Sequence, residues 1–330
     1  MATQDLNEKP SHFAPHKRYY DFNTYLRQNF NDHKVYKVIL DGGFTCPNRD
    51  GKVAKGGCIY CNANGSGSGK RRVPIKEQVH TGIAHVKEHY RAEKIMIYFQ
   101  AFTNTYAPVE QLEEIYKEAL CHEDIVAIAI GTRPDCIDRE KLEMISQFSK
   151  DYEIWMEYGL ETSHNETLER INRWDTWENF QKAVALTREY DMKICTHLIF
   201  GLPGETREQI IKTIDRVAYL KLDAVKIHNL YIEKGTALQK YYDEVGFELM
   251  SQEQYVDLVC ECLVRLSEKT VIERLTGDPI MKNFYLPEWS RNKQRLVNTI
   301  ERALEERGIW QGCALSKAVI ARDSKESRSL

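Results

Sequence analysis

Three cysteines carry the most specific chemistry in the chain. In FTCPNRDGKVAKGGCIYC, Cys46 is followed after eleven residues by Cys58, and after two more by Cys61. Two thiolates at C-x-x-C spacing, with a third across a Gly-containing loop, can converge on one metal centre. A closed zinc site takes a fourth ligand. No His or Cys occurs in the eighteen residues after Cys61, and His80 is the next. A cubane iron–sulfur cluster held by three cysteines leaves one iron open, unlike the all-cysteine electron carriers. An open iron is a Lewis acid for a small chelating ligand. A dithiol redox pair would explain C-x-x-C but gives Cys46 nothing to do. On the residues alone, zinc and cluster both stand.

The other cysteines are scattered, and an odd total of nine does not form a disulfide framework. Cys121, Cys136, Cys195 and Cys260 fall in or beside apolar stretches and read as buried small hydrophobes. Cys260 and Cys262 make only a C-x-C pair, and Cys313 stands alone. No second metal centre is expected. Charge is uneven around the motif. Residues 49 to 76 hold seven basic residues against Asp50, although the whole chain has a formal net charge of −3. Such a local excess suits a polyanionic partner, or simply a solvated loop.

A scaffold must bring these residues together, and the pattern for one is present. Short β-rich runs lie at 35–40, 95–99, 125–130, 152–159, 193–200 and 224–232. Stretches with helical spacing follow, including VEQLEEIYKEAL, FQKAVALTREY and EQIIKTIDRVAYL. Six strands separated by helices, without two-residue hairpin signals, predict parallel βαβ crossovers. The fold class expected is α/β, a partial (β/α)6 barrel with a C-terminal helical extension. Its ligands would sit at the C-terminal ends of the strands. Capping boxes are predicted at Ser163–Glu166, Thr206–Gln209 and Ser251–Gln254. The expected boundaries are an N-terminal extension over 1–34, the barrel over 35–245, helices over 246–313 and a frayed tail over 314–330. The NANGSGSG loop at 62–69 is expected to be mobile. No apolar run approaches the roughly 20 residues of a membrane span, and no secretory signal opens the chain. A cytoplasmic protein with no membrane partner is expected.

With Cys46, Cys58 and Cys61, and Tyr60 as the aromatic before the last, the sequence resembles the radical S-adenosylmethionine (SAM) superfamily. It is most similar to the YtqA/YhcC-like branch, related to elongator-type and coproporphyrinogen-dehydrogenase-like enzymes. The resemblance spans roughly residues 17 to 310. It implies a [4Fe–4S] cluster on the three cysteines and SAM as cosubstrate. Reductive cleavage of SAM would give a 5′-deoxyadenosyl radical, with an external electron donor. Cofactor-binding roles are implied for Tyr60, Gln100, Asp135, Glu161, Arg173 and His197. Gln100, with Ala101, stands where the superfamily usually has a Gly-Gly-Glu-like turn for the methionine amine. Asp135 stands where an acid meets ribose hydroxyls, and Asp135 or Asp138 could instead cap the next helix. Glu161 and Arg173 match in spacing the polar residue and the Arg that hold cosubstrate, Arg173 pairing with the methionine carboxylate. His197 stands where relatives place a polar contact to the nucleoside, and reads equally as a core histidine. GLPGE lacks the Gly-Lys-Ser/Thr of a phosphate loop.

The same resemblance implies tRNA as the substrate, with chemistry on the side chain of a wobble uridine of the 5-carboxymethylaminomethyl type. Lys70, Arg71 and Arg72 would then meet substrate, and Phe102, Tyr106, Tyr231, Tyr241 and Tyr242 could stack on RNA. The chain ends too soon to carry an acetyltransferase domain, so acetyl transfer is not expected. Two other readings remain: radical chemistry on a small molecule such as a porphyrin, and a non-catalytic zinc- or cluster-binding module.

Overall fold

The computed structural model describes residues 8–63, 65 and 71–315. Nine strands are assigned among them: β1 (Val35–Leu40), β2 (Lys94–Phe99), β3 (Ile125–Thr132), β4 (Glu153–Glu161), β5 (Lys193–Phe200), β6 (Ala224–Asn229), β7 (Ile232–Glu233), β8 (Val271–Arg274) and β9 (Phe284–Leu286). The helices are α1 (Phe22–Asn29), α2 (Pro47–Asp50), α3 (Ile75–Tyr90), α4 (Val109–Ala119), α5 (Arg139–Ser146), α6 (Asn165–Arg170), α7 (Trp177–Thr187), α8 (Arg207–Leu220), α9 (Ala237–Glu244), α10 (Gln252–Leu263) and α11 (Lys293–Glu306).

One sheet runs β1-β2-β3-β4-β5-β6-β8, and every neighbouring pair is parallel. Strand order follows chain order with no reversal, which is the topology of a barrel wall rather than a doubly wound sheet. The six expected strands form. The seventh, β8, extends the sheet from the region expected to be only helical. At four residues, VIER, it is too short to show alternation.

Alternation along the strands divides the side chains between two faces. Ile95, Ile97, Phe99, Ile128, Ile130, Ile154 and Met156 face outward beneath Leu112, Tyr116, Leu142, Phe180, Ile214 and other helical side chains. The inward set near the strand starts is Val35, Met96, Ala127, Trp155, Cys195, Ala224 and Val271. It packs on Phe13, Tyr20, Tyr25 and Leu26 from the N-terminal segment. Phe22 and Tyr25 meet the Trp155 ring edge-on at 5.7 and 5.4 Å, and Tyr25 donates to Glu153 Oε2 at 2.7 Å. Residues before β1 therefore plug the N-terminal end of the barrel. The C-terminal mouth is the end left for chemistry.

Two local expectations need correction. The capping boxes at Thr206 and Ser251 form, but His164, not Ser163, stands at the N-cap of α6, with no side-chain capping bond. Ser163 is buried against α8, where its hydroxyl lies 3.0 Å from Thr213 Oγ1 and accepts from Arg216. Cys121 is exposed, whereas Cys136, Cys195 and Cys260 are buried as expected. Lys70 and most of the 62–69 loop lie outside the described residues, as does the tail beyond residue 315. No helix among the described residues is long and apolar enough to cross a membrane.

Candidate active site

The cysteine loop leaves β1 at the barrel mouth. Cys46 stands at the N-cap of α2, whose Pro47 occupies the first helical position, where its missing N–H costs nothing. Gly51 ends this single turn in the left-handed region (φ +93°), which favours glycine. The chain returns through hydrogen bonds from Val53 N to Pro47 O at 2.9 Å and from Gly57 N to Asn48 O at 2.8 Å. Thus the eleven-residue gap is a folded turn that brings Cys58 back toward Cys46. Cys61 N donates to Cys58 O at 2.9 Å, closing a tight C-x-x-C turn.

N–H donors lie beside two of the thiols, and Cys61 Sγ is also 3.7 Å from Asn62 O. Asn48 Nδ2 lies 3.6 Å from Cys58 Sγ, and Arg173 Nη1 is 3.8 Å from the same sulfur. Arg49 Nη1 is 3.7 Å from Cys61 Sγ and donates to Asn62 O at 2.9 Å. The Cys61 thiol is pushed up to about 12, by burial first and then by Cys58 and Cys46, against the opposing pull of Arg49. Cys58 and Cys46 thus act electrostatically on Cys61, whose unliganded thiolate is disfavoured. Bound positive metal would reverse that penalty. Among the described residues, no three His, Cys, Asp or Glu side chains are grouped as a single metal ion would group them. Three thiols on one loop, two of them beside N–H donors, fit an iron–sulfur cluster.

Beside the thiols lies a buried charge network. A bulge at the end of β4 breaks register between Gly159 and Glu161, and Glu161 takes a left-handed φ of +68°. Gly159 makes room: a Cβ there would stand 2.8 Å from both Arg173 Nη2 and Glu161 Oε1. The buried Arg173 donates to Gly159 O, and its Nη1 is 3.5 Å from Glu161 Oε1. Arg173 Nε has no hydrogen-bond partner among the described residues. Arg133 Nη1 donates to Arg173 O at 2.9 Å, and Arg133 grips Asp135 bidentately at 2.8 and 2.6 Å. Asp175 is buried, its Oδ2 4.0 Å from Arg133 Nη2 and without a hydrogen-bond partner among the described residues, and burial followed by Asp135 raises its carboxyl.

The structure therefore brings Tyr60, Glu161 and Arg173 together with Cys58 and Cys61. Burial, then Cys58 and Glu161, push the Tyr60 hydroxyl well up. Asp135 lies one residue pair away, on Arg133, while Asp138 caps α5 by accepting from Lys141 N at 2.9 Å. Gln100 follows β2 at the mouth, half-buried, its N–H directed to Leu40 O at 3.4 Å. His197 sits on the inner wall, its Nε2 2.9 Å from Glu157 Oε2. Arg71 donates to Gly43 O at 3.0 Å at the start of the cysteine loop, and Arg72 is exposed. Sequence reasoning missed Asn48, Arg49, Arg133 and Asp175. Arg49 and Asn48 lie within the cysteine motif itself, which was the available signal.

Residues 46–217 match the Radical SAM superfamily, and residues 222–306 match the Radical_SAM C-terminal domain. The chain belongs to the radical SAM superfamily. Enzymes of this superfamily use a [4Fe–4S] cluster and SAM, and this radical SAM chain is such an enzyme. It is 41% identical over 298 residues to YtqA of Bacillus subtilis (strain 168), covering 90% of this chain and 92% of YtqA. A match to the tRNA uridine(34) acetyltransferase of Methanocaldococcus jannaschii is 31% identical over 138 residues, covering 41% of this chain and 25% of that protein. The fold matches that of the archaeal Methanocaldococcus infernus Elp3 with a TM-score of 0.65 at 18% identity. That alignment covers 84% of this chain and 64% of the Elp3 chain.

A cluster held by Cys58 and Cys61 would feel these N–H donors directly. Hydrogen bonds to the thiolates stabilise the more negative, reduced cluster and raise its potential. Asn48→Ala and Arg49→Met are each expected to make the cluster potential more negative, with the shifts adding in the double variant. A redox titration followed by electron paramagnetic resonance (EPR) checks this. Unchanged potentials would place those donors away from the ligands.

Proposed function

We propose that this radical SAM enzyme remodels the side chain of wobble uridine in tRNA, using a cluster held by Cys46, Cys58 and Cys61. The observation that carries the substrate is the partial identity with a tRNA uridine(34) acetyltransferase. The proposal carries over the target nucleoside, and acetyl transfer is no part of it. When bound, the cluster supplies the electron that splits SAM into methionine and a 5′-deoxyadenosyl radical.

This chain's residues hold and orient the reactants. Arg173 pairs with the methionine carboxylate through its unpartnered, buried Nε. Gln100 takes the methionine amine. Asp135 turns to the ribose hydroxyls while Arg133 keeps it ionised. Tyr60 packs beside the adenosine. Around the mouth, cations lie over aromatic rings: Arg49 is 5.1 Å from the Phe102 centroid, and Lys52 is 5.3 Å from that of Tyr106. Trp174, next to Arg173, is 47% exposed. A rim of paired cations and open ring faces suits a phosphate backbone and an unstacked base.

The test compares modified nucleosides in tRNA from cells with and without the gene, by liquid chromatography and mass spectrometry. Loss of one wobble-uridine derivative, with accumulation of its precursor, is expected. An unchanged wobble position would overturn the tRNA assignment and leave the radical SAM enzyme standing.

A further inference from the structure

Two residues beyond the apolar plug, the inner wall of the barrel turns polar. Lys37, Glu157, His197, Lys226 and Glu273 occupy this level on β1, β4, β5, β6 and β8. Glu157 is fully buried and accepts from Lys226, from Lys37 Nζ at 3.1 Å and from His197 Nε2 at 2.9 Å. Glu273 is 2.5 Å from Lys37 Nζ and 3.2 Å from Lys226 Nζ. The Lys226 ammonium also lies 4.4 Å from the Tyr98 centroid. Two lysines thus balance two glutamates. Burial alone would raise the Glu157 carboxyl, but Lys226, Lys37 and His197 together hold it well below the carboxylate range.

This network fixes a proton. An ionised carboxylate only accepts, so the 2.9 Å contact requires hydrogen on His197 Nε2. Burial and Lys226 lower the imidazole pKa, so the ring carries a single proton. Nδ1 is left as a bare lone pair. It makes no hydrogen bond among the described residues, and the side chain keeps 21% exposure on the inner wall. A histidine serving only the core would be satisfied at both nitrogens. Next to it, on the mouth side, His228 of β6 has its ring 5.9 Å from that of His197 and a buried Nε2 without a partner. Glu273 Oε1 is likewise buried and unpartnered.

We propose that Glu157 holds His197 as the Nε2–H tautomer, so that Nδ1 is the acceptor fixing an N–H or O–H donor of the substrate inside the barrel. His228 extends the same wall toward the mouth. This places His197 against the substrate instead of the nucleoside of SAM, and makes Glu157 a positioning residue. The imide N–H of a uracil ring is a donor of this kind. That identification rests on the tRNA reading, whereas the fixed acceptor does not.

The test begins with long-range proton–nitrogen NMR on 15N-histidine-labelled holoenzyme, its cluster oxidised, with His197 assigned by its loss in His197→Phe. The wild-type ring is expected to be neutral and protonated on Nε2. In Glu157→Leu, which removes the acceptor, the preference for Nε2–H is expected to be lost. A cationic ring or an Nδ1–H tautomer in the wild type would overturn the proposal. The second reading is coupling on tRNA. In His197→Phe, the 5′-deoxyadenosine released per modified uridine is expected to rise about tenfold or more, as expected for one lost hydrogen bond to a buried substrate group. An unchanged ratio would overturn it. If the wild type modifies no tRNA, the wobble-uridine reading fails and the NMR tautomer alone decides the fixed acceptor.

Discussion

Replacing Cys46, Cys58 or Cys61 singly by Ala is expected to reduce both cluster absorbance and 5′-deoxyadenosine formation to background. Three thiols leave no spare ligand, so losing one opens a second iron and the cubane falls apart. Alanine is the right probe because a serine oxygen could still bind iron. Folding is expected to survive, since the loop is held by backbone bonds such as Gly57 N to Asn48 O and Cys61 N to Cys58 O, which need no thiol. A thermal melt within a few degrees of the wild type, measured without cluster, checks this. The buried Cys195 and Cys260 are controls. Both are packed in apolar clusters away from the cysteine loop, so their Ala variants should keep a full cluster. Retention of the cluster by a Cys46, Cys58 or Cys61 variant would remove that residue from the ligand set.

Arg173 carries the second large effect, and it has two separable parts. Its guanidinium spans Cys58 Sγ, Gly159 O and Glu161, and its backbone carbonyl anchors Arg133. Arg173→Met leaves Glu161 without its cation in a site where both side chains are nearly buried. Breaking such a pair costs roughly 3–5 kcal/mol of stability, read as a fall in the denaturant midpoint. Pairing it with Glu161→Gln removes the stranded charge, so the double variant should recover much of the loss. SAM affinity should not recover. Loss of the charge-assisted hydrogen bond from Nε, at about 1.5–3 kcal/mol, weakens binding on the order of ten- to a hundredfold. Arg173→Lys keeps the charge but cannot reach both partners, and should fail in the same way. Wild-type SAM affinity in Arg173→Lys, measured by equilibrium dialysis on the oxidised holoenzyme, would exclude the carboxylate role.

Much of this arrangement was legible because the signals are local. Strands β1 to β6 announce themselves as apolar runs, and Cys46, Cys58 and Cys61 as a spacing. Glu161 and Arg173 are singled out by the family resemblance, and the structure brings them to 3.5 Å. What stayed hidden depends on partners distant in sequence. β8 has four residues, two of them charged, and becomes a strand only because β6 offers it an edge. Glu157 in YEIWMEYG looks like a polar interruption of a strand; Lys37, Lys226 and Glu273 make it the centre of an ion layer. Arg133 looked incidental beside Asp135, yet its fork holds both carboxylate oxygens. Ser163 carried the right spacing for a cap and lost that role to burial against Thr213 and Arg216.

The central claim is that three thiolates hold a cubane whose fourth iron is open to SAM. EPR of the anaerobically reconstituted and reduced protein, recorded with and without SAM, tests it most directly. The account predicts iron and sulfide at cubane stoichiometry, a reduced-cluster signal that SAM changes, and release of 5′-deoxyadenosine. Zinc in place of iron, or a cluster signal indifferent to SAM, would contradict it.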